Sequence, residues 1–269
     1  MDDLPSGETL RSLFLATASR FPEDPGVRCR MPDGWSFAIA HSERLARARV
    51  VAELEASLGV DAGDRVAVLM PFVPAWLDLF LGTDSIGAAV VALPPSLPAN
   101  DAIQVLRETG ASLLFAGEGQ TPAARTIAAA LPEVRVIVQA DVPYPSAPHP
   151  PTTPPNDLPD YRDLFSRAVD RGLAAGAAFD RASPESSDPA LVFDGREYTH
   201  DQLVELGAGL LPATLAATRK GGMLPDIAAD ASAMDDLPSA IARTIALPFL
   251  VGAKGFVPPC VAIEGPDAP

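Results

Sequence analysis

Apolar positions recur along this chain in two periods, and the alternation between them lays out the architecture. Leu10, Leu13, Phe14 and Thr17 share one face at three- and four-residue spacing, so 9–20 is expected to be an amphipathic helix, stopped by Phe21-Pro22. The stretches 26–30 and 35–39 are strand-like with Pro32-Asp33-Gly34 between them, which predicts a hairpin. From Ser42 to Leu58 the residues Leu45, Ala48, Val51, Ala52 and Leu54 return with the helical period. Glu43, Arg44, Arg47 and Glu55 fall on the expected wet face of that helix, and Gly59 closes it.

The period then changes. Arg65 to Met70 reads RVAVLM, a continuous apolar run of the kind a strand covered on both faces requires. Helix 74–86, strand 88–93, helix 99–109, strand 111–115, helix 122–131 and strand 134–138 follow in alternation. Such βα units predict an α/β fold of layered, largely parallel sheets flanked by helices. The segment 142–159 (VPYPSAPHPPTTPPNDLP) is too rich in proline for helix or central strand and is expected to be an exposed linker. It divides a first subdomain, 1–141, from a second α/β lobe, 160–263, with a degenerate second sheet and a polar, disordered tail over 264–269. In that lobe 160–175 and 238–247 are expected helices, 248–257 a strand or strand pair, and 224–234 carries no clear pattern.

The focus of the second lobe is DPALVFDGREYTHDQL, Asp188 to Leu203. Ala190 to Phe193 and Arg196 to Thr199 are strand-like and separated only by Asp194-Gly195, a strong two-residue hairpin signal. Thr199 precedes Gln202 by three, the spacing of a capping box at the start of a helix over 201–216. A hairpin this tight cannot hold a phosphate, which needs a longer loop whose backbone N–H groups converge on one anion.

Charge and composition narrow the function. A formal net charge of -15 opposes binding to nucleic acid and to anionic membranes, both of which call for a basic face. No apolar run approaches the roughly 18 residues of a membrane span, and the acidic start MDDLPSGETL has no apolar leader core, so a cytoplasmic protein is expected. Cys29 and Cys260 belong to no metal-binding spacing and are expected to be free thiols. The only lysines are Lys220 and Lys254, each beside glycine, and neither has the spacing of a phosphate loop. His41, His149 and His200 lack a sequence-adjacent nucleophile or metal partner, and Asp84, Asp101 and Glu108 are expected to be solvated helix-end carboxylates.

Over 9–115 the chain resembles the N-terminal part of the acyl- and aryl-adenylate-forming superfamily: acyl-CoA synthetases, luciferases and peptide-synthetase adenylation domains. TLRSLF with ASRFPEDPGVR, the helix SERLARARVVAELEASLGV and DAGDRVAVLMPFVPAWLDLFLGTDSIGAAVVALPPSLPANDAIQVLRETGASLLFA carry the likeness. The stretch from Asp188 is similar to the family's phosphate-binding region, a strand DPAxIxYTSGTTGxPKG followed by a strand ending in Thr-His. Asp188-Pro189-Ala190 and Thr199-His200 are present, but Asp194-Gly195 stands where the hydroxyls, glycines and lysine would be. The segment 246–259 resembles a later strand-loop-strand of the family. No match is found here to its Tyr-Gly-x-Thr-Glu segment, ribose-binding aspartate, hinge or adenylating lysine.

The resemblance therefore implies a truncated, degenerate relative without ATP-dependent ligase activity, with no catalytic, cofactor or metal residues expected. Asp194, Gly195, Thr199 and His200 remain as candidate ligand-pocket or vestigial-loop residues. Expected partners are a second copy, a ligase or a carrier protein, with an acyl or aryl ligand. The alternative is a split or repurposed enzyme that keeps the acyl or aryl pocket and relies on a partner chain or on chemistry without ATP.

Overall fold

The structure, a computed structural model, describes residues 7–30, 36–138, 140, 157–170, 178–180, 183–221, 227–229, 236–253 and 261–264. The described elements begin with α1 (Leu10–Arg20), β1 (Pro25–Arg30), β2 (Ser36–Ala40) and α2 (His41–Ser57). Alternation follows, with β3 (Arg65–Leu69), α3 (Pro74–Ser85), β4 (Ala89–Leu93), α4 (Ala99–Thr109), β5 (Leu113–Ala116), α5 (Thr121–Ala130), β6 (Arg135–Ile137) and α6 (Tyr161–Asp170). Next come β7 (Pro189–Phe193), β8 (Arg196–Thr199), α7 (His200–Gly221), β9 (Ile227–Ala229), α8 (Leu237–Ile241), a π-turn (Ala242–Ala246), α9 (Leu247–Ala253) and β10 (Val261–Glu264).

Two compact units divide the chain. A central unit takes Arg47–Ser183 and Pro189–Glu197, and a terminal unit takes Met1–Ala46, Pro184–Asp188 and Tyr198–Pro269. This partition differs from the expected boundary at 142–159, because strand pairing gathers residues remote in sequence.

In the central unit the sheet runs β6-β5-β3-β4-β7-β8, with β3, β4, β5, β6 and β7 parallel. A right-handed crossover from β3 to β4 puts α3 on one face, and the return past β3 to β5 puts α4 and then α5 on the other. Side-chain alternation agrees. Ala67, Leu69, Val91, Leu93, Leu114 and Ala116 share a buried core with Ile103 and Leu106 of α4 and Ala124 and Ile127 of α5. On the opposite face Phe115 meets Tyr161 of α6 edge-on, ring centroids 5.8 Å apart. The expected hairpin strands join this sheet at its edge, not a separate second one.

The terminal unit holds the other sheet, β2-β1-β10-β9. β1 pairs antiparallel with β2 and parallel with β10, in the register Val27↔Val261, and β10 pairs parallel with β9. Strands of three and four residues carry too little alternation to read, so β9 and β10 escaped the hydrophobic pattern; Glu264, expected to open the disordered tail, ends β10. Helix α1 is fixed at its start, where Ser12 N–H donates to Thr9 Oγ1 (3.1 Å) and Thr9 N–H to Ser12 Oγ (3.0 Å).

The strand expected from Pro248 is instead α9, which carries the preceding helix onward. Pro248 has no N–H to give the helical ladder. The backbone adapts by one residue of slack, Leu247 N–H reaching back five positions to Ala242 O. Phe249, Leu250 and Val251 are all buried, so no polar face exposes the helical period, and Phe249 packs on Phe14 of α1 at 5.2 Å. The expected turn at 32–34, most of the proline-rich stretch (142–156), residues 171–175 and 254–257, His149, Lys254, Cys260 and the tail 265–269 lie outside the described residues, as do the side chains of Cys29 and Lys220.

Candidate functional site

The hairpin forms as its two central residues dictate. Asp194 and Gly195 both have positive φ, 49° and 70°, the handedness that matches the twist of the flanking strands in a two-residue turn. Glycine takes that conformation freely, and aspartate is among the few side chains that tolerate it. Leu191 and Val192 are buried, whereas Asp194 to Glu197 are exposed. The tip is thus a solvent-facing bend, held from below by an ion pair between Arg65 at the start of β3 and Glu197 on β8.

Thr199 ends β8 and His200 begins α7, both in the terminal unit, whereas the tip belongs to the central one. Thr199 N–H donates to Gln202 Oε1 (3.0 Å) and Gln202 N–H to Thr199 Oγ1 (3.3 Å), so the capping box read from the sequence is formed. His200 is buried, and its Nδ1 accepts the Leu10 N–H at 3.3 Å, satisfying a free donor of the first turn of α1. An imidazole that accepts through Nδ1 carries its proton on Nε2. The segment 185–188 clamps the same helix start: Asp201 N–H donates to Ser186 O (2.9 Å), Ser186 Oγ to Asp201 Oδ2 (2.9 Å) and His200 N–H to Asp188 O (3.3 Å). The four candidate residues therefore fall into two pairs, an exposed tip and a buried helix start.

A second polar constellation was not foreseen. Arg44 and Glu55, placed on the wet face of α2, are buried, and Asp84, expected to be solvated, is buried in α3. For Glu55 and Asp84 the reason lies in α3, whose every residue is buried although the run includes Asp78, Thr83 and Asp84, whereas Arg44 is covered within its own unit by the Phe14 ring of α1. Carboxylates that deep need partners. Helices α2 and α3 run in the same direction, so Arg47 meets Asp78 (Nε to Oδ2, 2.9 Å), Val51 meets Gly82, and Glu55 meets Thr83. Two aspartates inside an otherwise largely apolar helix, Asp78 and Asp84, were the sequence signal available. Asp101 and Glu108 are exposed, as expected.

The electrostatics of this seam follow from burial. Thr83 Oγ1 donates to Glu55 Oε1 at 2.8 Å, while Oε2 is buried without a hydrogen-bond partner among the described residues. Desolvation pushes the Glu55 carboxyl up to about 8 against the smaller opposing effect of Thr83, so it is protonated at neutral pH. Tyr161 is also held neutral, chiefly by burial, with the Asp78 and Glu55 carboxyls adding to the shift and Arg47 opposing it. Arg47 further lies over the Phe165 ring at 5.4 Å. Among the described residues no helix is long and apolar enough to cross a membrane.

The family model described as AMP-binding enzyme matches residues 14–193. A methyl-dioxo-octahydro-indenyl-propanoyl:CoA ligase of Mycobacterium tuberculosis is 38% identical over 89 residues, covering 32% of this chain and 18% of the ligase. Surfactin synthase subunit 1 of Bacillus subtilis is 30% identical over 116 residues, 43% of this chain and 3% of that protein. Among solved structures, a Mycobacterium tuberculosis fatty acyl CoA synthetase superposes with a TM-score of 0.64 at 18% identity, over 97% of this chain and 45% of the synthetase. The chain thus spans under half of that synthetase and a smaller share of the two curated relatives.

Proposed function

This chain belongs to the AMP-binding enzyme family, and we propose that within it the protein acts without ATP-dependent ligase activity, as a binding, scaffold or regulatory partner in acyl or peptide metabolism. One observation carries the reading: the chain passes from β7 to β8 through Asp194-Gly195 alone, with left-handed backbone at both residues. A triphosphate needs several converging N–H groups and cations to balance its charge as it reacts. This bend presents two backbone amides and a carboxylate of the phosphate's own sign. The strands on either side of the bend and the capped helix after them are formed, and in this reading the fold serves to bind an acyl or aryl group, a second copy, a ligase or a carrier protein.

Isothermal titration of the intact chain with ATP and magnesium tests this. No saturable heat is expected up to millimolar nucleotide, and dissociation in the micromolar range would overturn the proposal. Pyrophosphate exchange that appears only when a second chain is added would instead identify a split ligase.

A further inference from the structure

Helix α2 carries an ionisable side chain buried without charge near each end. At its first residue His41 is fully buried, and neither ring nitrogen has a hydrogen-bond partner among the described residues. The ring is pressed against β1, where a Cβ added to Gly26 would lie 2.8 Å from His41 Cε1 and Nδ1, so no counter-ion fits between them. The charged group beside it is Arg44, one turn on and stacked over the Phe14 ring at 5.7 Å. Both desolvation and, secondarily, that guanidinium disfavour an imidazolium and lower His41 to about 3. Fourteen residues along, Glu55 is fully buried against α3 with Thr83 on one oxygen and, among the described residues, no hydrogen-bond partner on the other. The charged groups around that seam are Arg47 on its own helix and Asp78 and Asp84 on α3, with the Tyr161 hydroxyl contributed by α6.

We propose that α2 is a pH-sensitive element with two ends, seated only while His41 and Glu55 are both uncharged, acid releasing its first turn and alkali its remaining turns. The signs follow from linkage. His41 is harder to protonate folded than unfolded, so the stability it confers is complete above 6.5 and is lost as pH falls toward 3. Glu55 is harder to ionise folded than unfolded, so its contribution is complete below 4.5 and is lost as pH rises through 8. Between 4.5 and 6.5 the two ends respond in opposite directions. General acid or alkaline denaturation cannot produce that signature, because it moves all amides of a helix the same way. The inference is independent of the reading of the hairpin.

Hydrogen exchange of the intact chain from pH 4 to 9, corrected for intrinsic rates, tests it. The opening constant of 47–57 is expected to rise roughly tenfold per pH unit where Glu55 titrates, and that of 41–46 to fall by the same factor where His41 titrates. Glu55→Gln should flatten only the first slope and His41→Gln only the second. Should either variant fail to fold, Thr83→Val should leave the start of the Glu55 limb near 4.5 but carry its upper end beyond pH 8, and Arg44→Gln, read down to pH 3, should raise the acid end of the His41 limb while its start near 6.5 stays. Parallel responses of the two halves, flat profiles, slopes that survive the glutamine variants, or limbs that the second pair leaves in place would overturn the proposal.

Discussion

Gly82 shows how closely single residues are constrained at the seam between α2 and α3. A Cβ there would lie 2.4 Å from Val51 Cγ1, 2.6 Å from Val51 Cβ and 3.0 Å from the Ala48 carbonyl oxygen. Gly82→Ala should therefore destabilise the protein by about 1–3 kcal/mol despite the better helix propensity of alanine. Adding Val51→Ala should recover part of that loss but not all, because the Ala48 carbonyl is backbone and cannot withdraw. A double-mutant cycle by urea unfolding measures the coupling, and strict additivity would count against the packing account. Nothing in the local pattern marks Gly82 as a contact residue. The pattern shows only an apolar helix, and the close approach depends on which helix lies alongside.

At the level of elements, the hairpin and the helix it feeds were legible in advance because their signals are local. Asp194-Gly195 specifies the turn through backbone chirality, and Thr199 with Gln202 specifies the helix start through two reciprocal hydrogen bonds. Thr199→Ala is expected to cost about 1 kcal/mol in urea unfolding at unchanged denaturant dependence, with Thr199→Ser near wild type. A loss well above that would show that the hydroxyl does more than cap. Other elements were illegible for equally physical reasons. Pro248 reads as a helix stop, yet the π-turn ahead of it supplies the slack to continue, and complete burial of Phe249 to Val251 hides the period. Arg44 and Glu55 look solvated on a helical wheel, since a wheel knows the residue's side of its own helix and not what covers that side.

For the molecule as a whole, the proposed role as a binding partner calls for association, which stays a proposal to be tested. Leu206 and Leu210 are one turn apart on α7 and 43% and 37% exposed, large apolar side chains left in water. Light scattering after size exclusion should give a dimer at micromolar concentration, weakened by Leu206→Glu with Leu210→Glu. A wild-type monomer under those conditions removes the second copy as partner and leaves a ligase or carrier protein to be sought.

The amino-acid sequence by itself determined what depends on neighbours along the chain: the helix and strand periods from α1 to β6, the two-residue bend, the cap at Thr199, and the similarity to adenylate-forming enzymes. Tertiary structure alone decided that β10, more than two hundred residues away, lies between β1 and β9, that β7 and β8 extend the first sheet, and that charges on α2 face inward. The division has one cause. Turn chirality and capping are settled within a few residues, whereas burial and strand partnership are fixed by groups the local chain never meets until it folds.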